Sequence, residues 1–367
     1  MTNFKKYLLI ALSLALLNAV LLLVFFVPRF DHTDTAQYIS TIKYISGDSG
    51  AELFQNRILK PLPIFIGVLL SPVFGEKNSL IVQNLVFYFL SVFLIFLLVY
   101  RLYGSEKQAF YGTILYIGSY PMLAYGLAAL TDLSGWFFYI LSILISLKFL
   151  EKPNFKTALL AGSVAGIGML FKENMAAAPI FFASLLFIAT NLSFKDKLRH
   201  ILIYGIPFAI IILINSIIIY KLYSYSYLDW YMAQFNHTQK GFFAYTPLRI
   251  AIEMARVFLV GWIFVLLGIK KEFIAKNKER IKVLIALIIP SLSFFLWAYP
   301  HNRIAFIAAP LLVLLGSLGI LRNYSNLRFN NFTEIILLSI YVLVNYAVLE
   351  LLLRYGTVLQ PPGTFFG

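Results

Sequence analysis

The sequence predicts an all-α polytopic membrane protein of about 11 transmembrane helices, with a cytoplasmic N-terminus and the C-terminus outside. Three observations carry that reading. Hydrophobic residues make up 60% of the 367 and charged residues 13%, with a mean hydropathy of +0.83. The apolar residues fall into runs near the ~20 needed to cross ~30 Å of hydrocarbon. Basic residues gather in alternate short connections between those runs. A soluble domain carries roughly 45–50% apolar and ~25% charged residues, so soluble classes are excluded. The net charge of +14 is spread over loops that encode orientation, which excludes a nucleic-acid surface as its cause. The absence of cysteine excludes disulfides, thiolate metal sites and cysteine nucleophiles.

In chain order, Lys5 and Lys6 precede an apolar run at 7–27. It is too long for a signal-peptide core and has no small-residue cleavage site before Pro28, so it is expected to remain as the first span. Further spans are expected at 79–100, 108–125, 131–149, 157–171, 175–190, 201–220, 250–268, 282–298, 304–321 and 333–353. The piece 61–74 is short and holds Pro61, Pro63 and Pro72, so it reads as an interfacial or re-entrant helix. Positive-inside bias supports that choice. Eleven spans put Lys195, Lys197, Arg199, Arg322, Arg328 and the run Lys270, Lys271, Lys276, Lys278, Arg280, Lys282 inside, and a twelfth at 61–74 would invert them. The result is a single transmembrane domain over 1–367, with no soluble domain. It has a first outer loop at 28–78, a second at 221–249, and no internal repeat of the kind found in duplicated transporters.

Orientation does not explain the charges expected on the outer side. They are Asp31, Asp34, Asp48, Glu52, Arg57 and Lys60 in the first loop, Asp132, Lys172, Glu173, His301 and Arg303 at helix ends, and Asp229, His237 and Lys240 in the second loop. Any one of them is accounted for by snorkelling from a helix end; together they imply a polar pocket on one face. After the first span, Tyr38, Ile42 and Ile45 repeat at helical spacing, so 34–46 reads as an amphipathic interfacial helix capped by Asp31 or Thr33. Asp34 there is either a first-turn acid favoured by the helix dipole or a general base held at the membrane boundary. Arg57 and Lys60, beside Pro61 and Pro63, would either anchor the interface or hold an anionic head group. Small residues Gly162, Gly166 and Gly168 allow close helix packing before Lys172, and Pro300-His301-Asn302-Arg303 opens another span.

Together these stretches resemble the GT-C superfamily of polyprenyl-phosphate-sugar-dependent glycosyltransferases, in its protein mannosyltransferase and aminoarabinose-transferase branch. The likeness runs through most of 7–190 and resumes near 299–321. Asp34-Thr35-Ala36-Gln37-Tyr38 is similar to the family's Asp-Glu-x-x-Tyr, Lys60-Pro61-Leu62 to its Lys-Pro-Pro-Leu, and Val73-Phe74-Gly75 to its Phe-Gly. Leu102-Tyr103-Gly104, Asp132, the stretch from Gly166 to Lys172, and Asn302-Arg303 leading to Pro310 follow in the family's order. Thr35 stands where the family has an acid, which weakens any paired-acid metal site, and Leu62 stands where it has a second proline.

The resemblance implies direct, inverting transfer of a sugar from a polyprenyl phosphate to a hydroxyl acceptor at the outer face. It implies Asp34 as base and Lys60, Lys172 and Arg303 as the groups neutralising the leaving phosphate. Arg57 joins them by position, and Asp132 orients Lys172 or shapes the pocket. Asp31, Tyr38 and His301 complete the candidate substrate contacts. No cofactor follows; a divalent metal held through Asp31, Asp34, His32 or Asp132 is the one such residue types admit. Neither His237 nor His301 has a ligand-spaced partner. Tyr223, Tyr225, Tyr227, Trp230 and Tyr231 read as an interfacial aromatic belt, with sugar stacking as the alternative. The expected partners are the lipid-linked donor, a glycan, lipid or protein hydroxyl acceptor, and the bilayer, in a prokaryotic plasma membrane. The rivals are a transporter or flippase of lipid-linked sugars and a non-catalytic scaffold. A transporter needs polar groups along a path through the bilayer, and Asn215 and Asn345 are among few such residues mid-span. An oligosaccharide ligase or polymerase is a further alternative within the enzymes.

Overall fold

The computed structural model describes residues 3–29, 33–238, 247–296, 301–321 and 331–359. Every regular element among them is helical. The chain opens with α1 (Asn3–Leu21, prolonged by tighter and wider turns to Arg29), α2 (Thr33–Ile45), α3 (Gln55–Ile58) and α4 (Pro61–Phe74). It continues through α5 (Glu76–Tyr103), α6 (Glu106–Ile117), α7 (Tyr120–Tyr125), α8 (Asp132–Glu151) and α9 (Phe155–Met169). After a turn at Glu173–Ala176 come α10 (Ala177–Ala189), α11 (Phe194–Tyr223), α12 (Tyr227–Thr238), α13 (Pro247–Phe258) and α14 (Gly261–Ala275). The last are α15 (Lys278–Ser291), α16 (Asn302–Ala305), α17 (Ala309–Ile320) and α18 (Asn331–Leu359).

Among the described residues, six helices can cross a membrane by length and composition, or seven if α13 and α14 count as one bent span; α4, α9 and the helix at Glu173–Ala189 are shorter apolar helices. Leu202, Ile206, Ile210, Leu213, Ile217 and Ile218 of α11 are exposed, as are Leu9, Leu16 and Leu17 of α1 and Ile335 and Leu343 of α18. Such apolar surface is stable only against hydrocarbon. By contrast α8 and α17 are wrapped on most sides, and Trp136, Ile140, Ile143, Phe306, Val313 and Leu314 sit in one continuous core.

Glycine seams set the closest helix approaches. A Cβ at Gly268 would stand 1.8 Å from the Leu315 carbonyl oxygen, and one at Gly319 1.8 Å from that of Phe264, so α14 and α17 touch backbone to backbone. Gly162 does the same for α9 against α11, with the Tyr204 carbonyl 2.0 Å away. Small residues let helix backbones meet where hydrocarbon gives no hydrophobic drive.

Two expected spans are interrupted. The run 108–125 breaks at Gly118 and Ser119 into α6 and α7. The run 250–268 is bent by 86° between α13 and α14, with Leu259 in the left-handed region at φ 44°. Averaged hydropathy does not resolve such a break, because both arms are apolar while Glu253 and Arg256 give α13 one polar edge. In the expected interfacial helix 34–46, Tyr38 and Ile42 face inward against Ile64, Leu80 and Ala129, whereas Ile45 is exposed. α2 is thus covered by α4 and α5 on its apolar side.

Gly268→Ala is expected to cost about 1–3 kcal/mol through overpacking, read as a lower melting temperature in detergent. Gly205→Ala, with nothing within 4 Å of the added carbon, is the matched control and should melt like wild type. Equal melting of both variants would mean that the α14–α17 seam yields at no cost.

Candidate active site

Five segments meet at one end of the bundle: α2, the turn from α3 into α4, the start of α8, the turn after α9, and the start of α16. Local bonds bring them together. Pro61 opens α4, and the Leu62 amide donates to the Leu170 carbonyl at 3.3 Å, tying that turn to the end of α9. Asn84 of α5 donates to the Ala128 and Leu130 carbonyls at 2.6 and 2.8 Å, and the Thr35 hydroxyl donates to the Ala129 carbonyl at 3.1 Å. These bonds hold the segment leading into Asp132. Gly135 lets the 170–174 turn close on α8, since a Cβ there would lie 2.3 Å from Asn174 Oδ1 and 2.7 Å from Lys172 Cβ.

The charged side chains then line up in alternating order. Arg57 Nη2 lies 2.5 Å from Asp34 Oδ1, and Asp34 Oδ2 lies 3.0 Å from Arg303 Nη1. Arg303 Nη1 is 3.8 Å from Asp132 Oδ2, whose other oxygen is 3.3 Å from Lys172 Nζ. Lys172 reaches Glu173 Oε1 at 4.0 Å, and Glu173 Oε2 is 2.9 Å from Lys60 Nζ. Four cations thus alternate with three carboxylates. The file is mostly buried: Lys60 is 3% exposed and Asp132 1%. Charges so placed cost several kcal/mol each unless paired, which is why every one has an opposite neighbour.

Tyr38 and Gln37 flank the file. The Gln37 side-chain oxygen accepts from Arg57 Nε and Nη2 at 2.9 and 2.6 Å, and Arg57 lies 4.9 Å over the Tyr38 ring. Tyr38 shares a 2.8 Å hydrogen bond with the Thr131 hydroxyl. Burial pushes the Asp34 carboxyl up, but Arg303 and Arg57, helped by Lys172 and Lys60, outweigh it and hold the group far below the usual carboxylate range. Burial likewise raises the Tyr38 phenol, yet Lys60, Lys172 and Arg57 bring it below its ordinary value. A buried phenol drawn toward ionisation reports a cation-dominated pocket.

Of the residues singled out in the sequence, Asp34, Tyr38, Arg57, Lys60, Asp132, Lys172 and Arg303 come together here. His301 sits at the rim, where Nδ1 accepts from the Arg303 amide at 3.3 Å and the ring meets Tyr125 edge-on at 5.6 Å. Asp31 and His32 lie outside the described residues, as does Lys240. Among the described residues no three His or acidic side chains gather as a metal would need, and Asp34 and Asp132 are turned toward cations.

Two of the aromatics expected in a lipid belt do something else. The Tyr227 hydroxyl donates to the Leu59 carbonyl at 2.6 Å, and Lys60 Nζ lies 5.8 Å from the Trp230 ring. α12 therefore folds over the Arg57–Lys60 turn, a contact across 168 positions of sequence that an aromatic run does not signal. Glu173, in the file, and Gln37, beside it, were not among the substrate contacts expected from the sequence. Gln37 carries a signal, being one helical turn from Asp34.

The sequence profile of a family described as dolichyl-phosphate-mannose-protein mannosyltransferase matches residues 61–220, which includes Asp132 and Lys172 but not Asp34, Arg57, Lys60 or Arg303. Among solved structures, the chain is similar to ArnT from Cupriavidus metallidurans bound to undecaprenyl phosphate, at 11% identity and a TM-score of 0.66, over 98% of this chain and 66% of that one. It is also similar to the Archaeoglobus fulgidus oligosaccharyltransferase tethered with an acceptor peptide containing the NVT sequon, at 15% identity and a TM-score of 0.57, over 94% of this chain and 55% of that one. No curated protein sequence matches. The chain therefore has the fold of the GT-C membrane glycosyltransferases. It spans just under two thirds of the length of the first structure and about half of the second.

The depressed Asp34 carboxyl has a stability consequence. Its contribution is complete above the ordinary value of 3.8 and is lost as pH falls from there toward the lower folded value. Wild type is expected to keep a level melting temperature from about pH 8 to 5 and to fall below about pH 4 more steeply than Asp34→Asn. Parallel acid limbs would mean that the Asp34 ion pairs do not contribute.

Proposed function

We propose that the chain is a membrane-embedded glycosyltransferase that moves a sugar from a polyprenyl-phosphate donor to a hydroxyl acceptor, with inversion. The observation that carries the reading is the mostly buried file with one cation more than its carboxylates, one of which, Asp34, is held ionised by two arginines. A site of this charge suits a single anionic phosphate leaving group. That ArnT, of the same fold, is described as bound to undecaprenyl phosphate supports a donor of that class.

Eleven spans with the N-terminus inside would put the site at the outer face. In support, Lys271 donates to the Leu318 and Gly319 carbonyls at the end of α17, the far end of the span that begins with α16 and Arg303, so the basic run 270–282 lies opposite the site. A prokaryotic plasma membrane, facing outward, is the proposed location.

In the reaction, the acceptor oxygen attacks the sugar C1 from the face opposite the phosphate. The C1–O bond breaks with its electron pair going to the polyprenyl phosphate, and the acceptor proton passes to Asp34. Arg303, Lys172, Lys60 and Arg57 take up the charge that develops on the leaving oxygen, usually the largest catalytic contribution, with one donor worth ~3 kcal/mol. At rest Asp34 is a weak base because both its oxygens are held by arginines. An arriving phosphate competes for Arg57 and Arg303, loosens their hold and raises the proton affinity of Asp34 as the acceptor needs it. Asp132 keeps Lys172 and Arg303 charged and aimed.

The test is purified wild type and Asp34→Asn, assayed for transfer from a panel of radiolabelled polyprenyl-phosphate sugars to membrane extract. Asp34→Asn is expected to lose ~100-fold or more in transfer while binding donor as well as wild type or better, since two arginines are released. Undiminished transfer would make Asp34 purely structural. Wild type that moves lipid-linked sugar across proteoliposomes without transferring it would favour the transporter reading.

A further inference from the structure

α13 lies across the end of the bundle that holds the ionic file, turned 86° from α14. Its inward face carries Val257 and Phe258, both buried, and on that face also stands a carboxylate, Glu253, 7% exposed. Glu253 belongs neither to the file nor to the motifs read in the sequence. Its Oε2 accepts from the Asn302 backbone amide and from Asn302 Nδ2, each at 3.0 Å, and its Oε1 lies 3.0 Å from Arg256 Nη1. Asn302 is the first residue of α16, and Arg303 is the second.

We propose that Glu253 is the positioning residue for Arg303, fixing the first turn of α16 from the side so that the guanidinium bridges Asp34 and Asp132. The role rests on the reading of Arg303 as part of a phosphate site. Three features support it. An amide at a helix start has no partner within its helix, so a carboxylate placed there both satisfies it and complements the positive end of the dipole. A second bond to the Asn302 side chain fixes rotation as well as position. The break before α14 is held in a conformation that leucine rarely adopts, Leu259 at φ 44°, by Trp262 Nε1 donating to the Met254 carbonyl at 3.1 Å and by the Glu253 bonds. A group fixed this tightly to Asn302 sets where Arg303 points, and a displacement near 1 Å is enough to cost a large factor in rate.

A group that only stabilises the fold lowers activity independently of Arg303; a group that acts through Arg303 has nothing left to do once Arg303 is gone. The experiment is a double-mutant cycle on the full chain in nanodiscs, reading polyprenyl-phosphate binding and sugar transfer side by side. Glu253→Ala is expected to weaken polyprenyl-phosphate binding and transfer by about 10-fold or more, and Glu253→Gln, which keeps an acceptor for the Asn302 amide and guards against misfolding, to stay within about 3-fold of wild type. Glu253→Ala combined with Arg303→Ala should be no worse than Arg303→Ala alone. Losses that multiply in the double variant, or a Glu253→Ala protein indistinguishable from wild type, would overturn the role. Wild type that binds no polyprenyl phosphate would overturn the phosphate site itself, a failure visible before any variant is made.

Discussion

The end of the bundle that holds the ionic file is organised by one constraint: seven ionisable side chains, buried or partly buried together, must alternate in sign. Arg57, Asp34, Arg303, Asp132, Lys172, Glu173 and Lys60 come from five separate segments, and each has an oppositely charged neighbour within 4.0 Å. In so dry a place the loss of hydration exceeds what one pair returns, so a file in which carboxylates are shared between cations is the arrangement that stands. Removing Asp34 or Glu173 leaves the cation at that end of the file, Arg57 or Lys60, buried without a carboxylate neighbour. The surrounding turns are therefore held by their own hydrogen bonds, from Asn84, Thr35 and the Leu62 amide, rather than left to the charges.

The hydrocarbon-facing part of the protein is built on a different principle. Its stability comes from close backbone packing at Gly162, Gly268 and Gly319 and from aliphatic surfaces that need only match lipid. The two regimes meet at helix ends. There α8 and α16 begin and α9 ends, and backbone groups without helical partners are open to side chains such as Glu253 and His301. Such helix ends can carry a polar site in a membrane protein because the bilayer interior admits none outside a protein-lined cavity.

Much of the charge file was readable along the chain. Asp34, Arg57, Lys60, Asp132, Lys172 and Arg303 stand out because each is a costly residue at an apolar boundary, and cost is a local property. Glu253 escaped notice because it sits inside an apolar run that reads as part of a continuous span; only the bend at Leu259 turns its helix across the bundle end. Tyr227 and Trp230 resembled a lipid belt for a similar reason. An aromatic run at an interface has the same composition whether it faces lipid or folds over Leu59 and Lys60.

By itself, the sequence determined the class of the molecule, most of its apolar helical runs and the set of charges that stand at their ends. These follow from how much each residue costs in water or hydrocarbon, which does not depend on its neighbours in space. The tertiary structure decided the order of the file, placing Arg303 between Asp34 and Asp132 from 269 positions away and setting Glu253 behind it. It also decided that Asp34 rests with both oxygens occupied. Such pairings depend on distances of a few ångströms between helix ends, and those are fixed by packing at the glycine seams rather than by spacing along the chain.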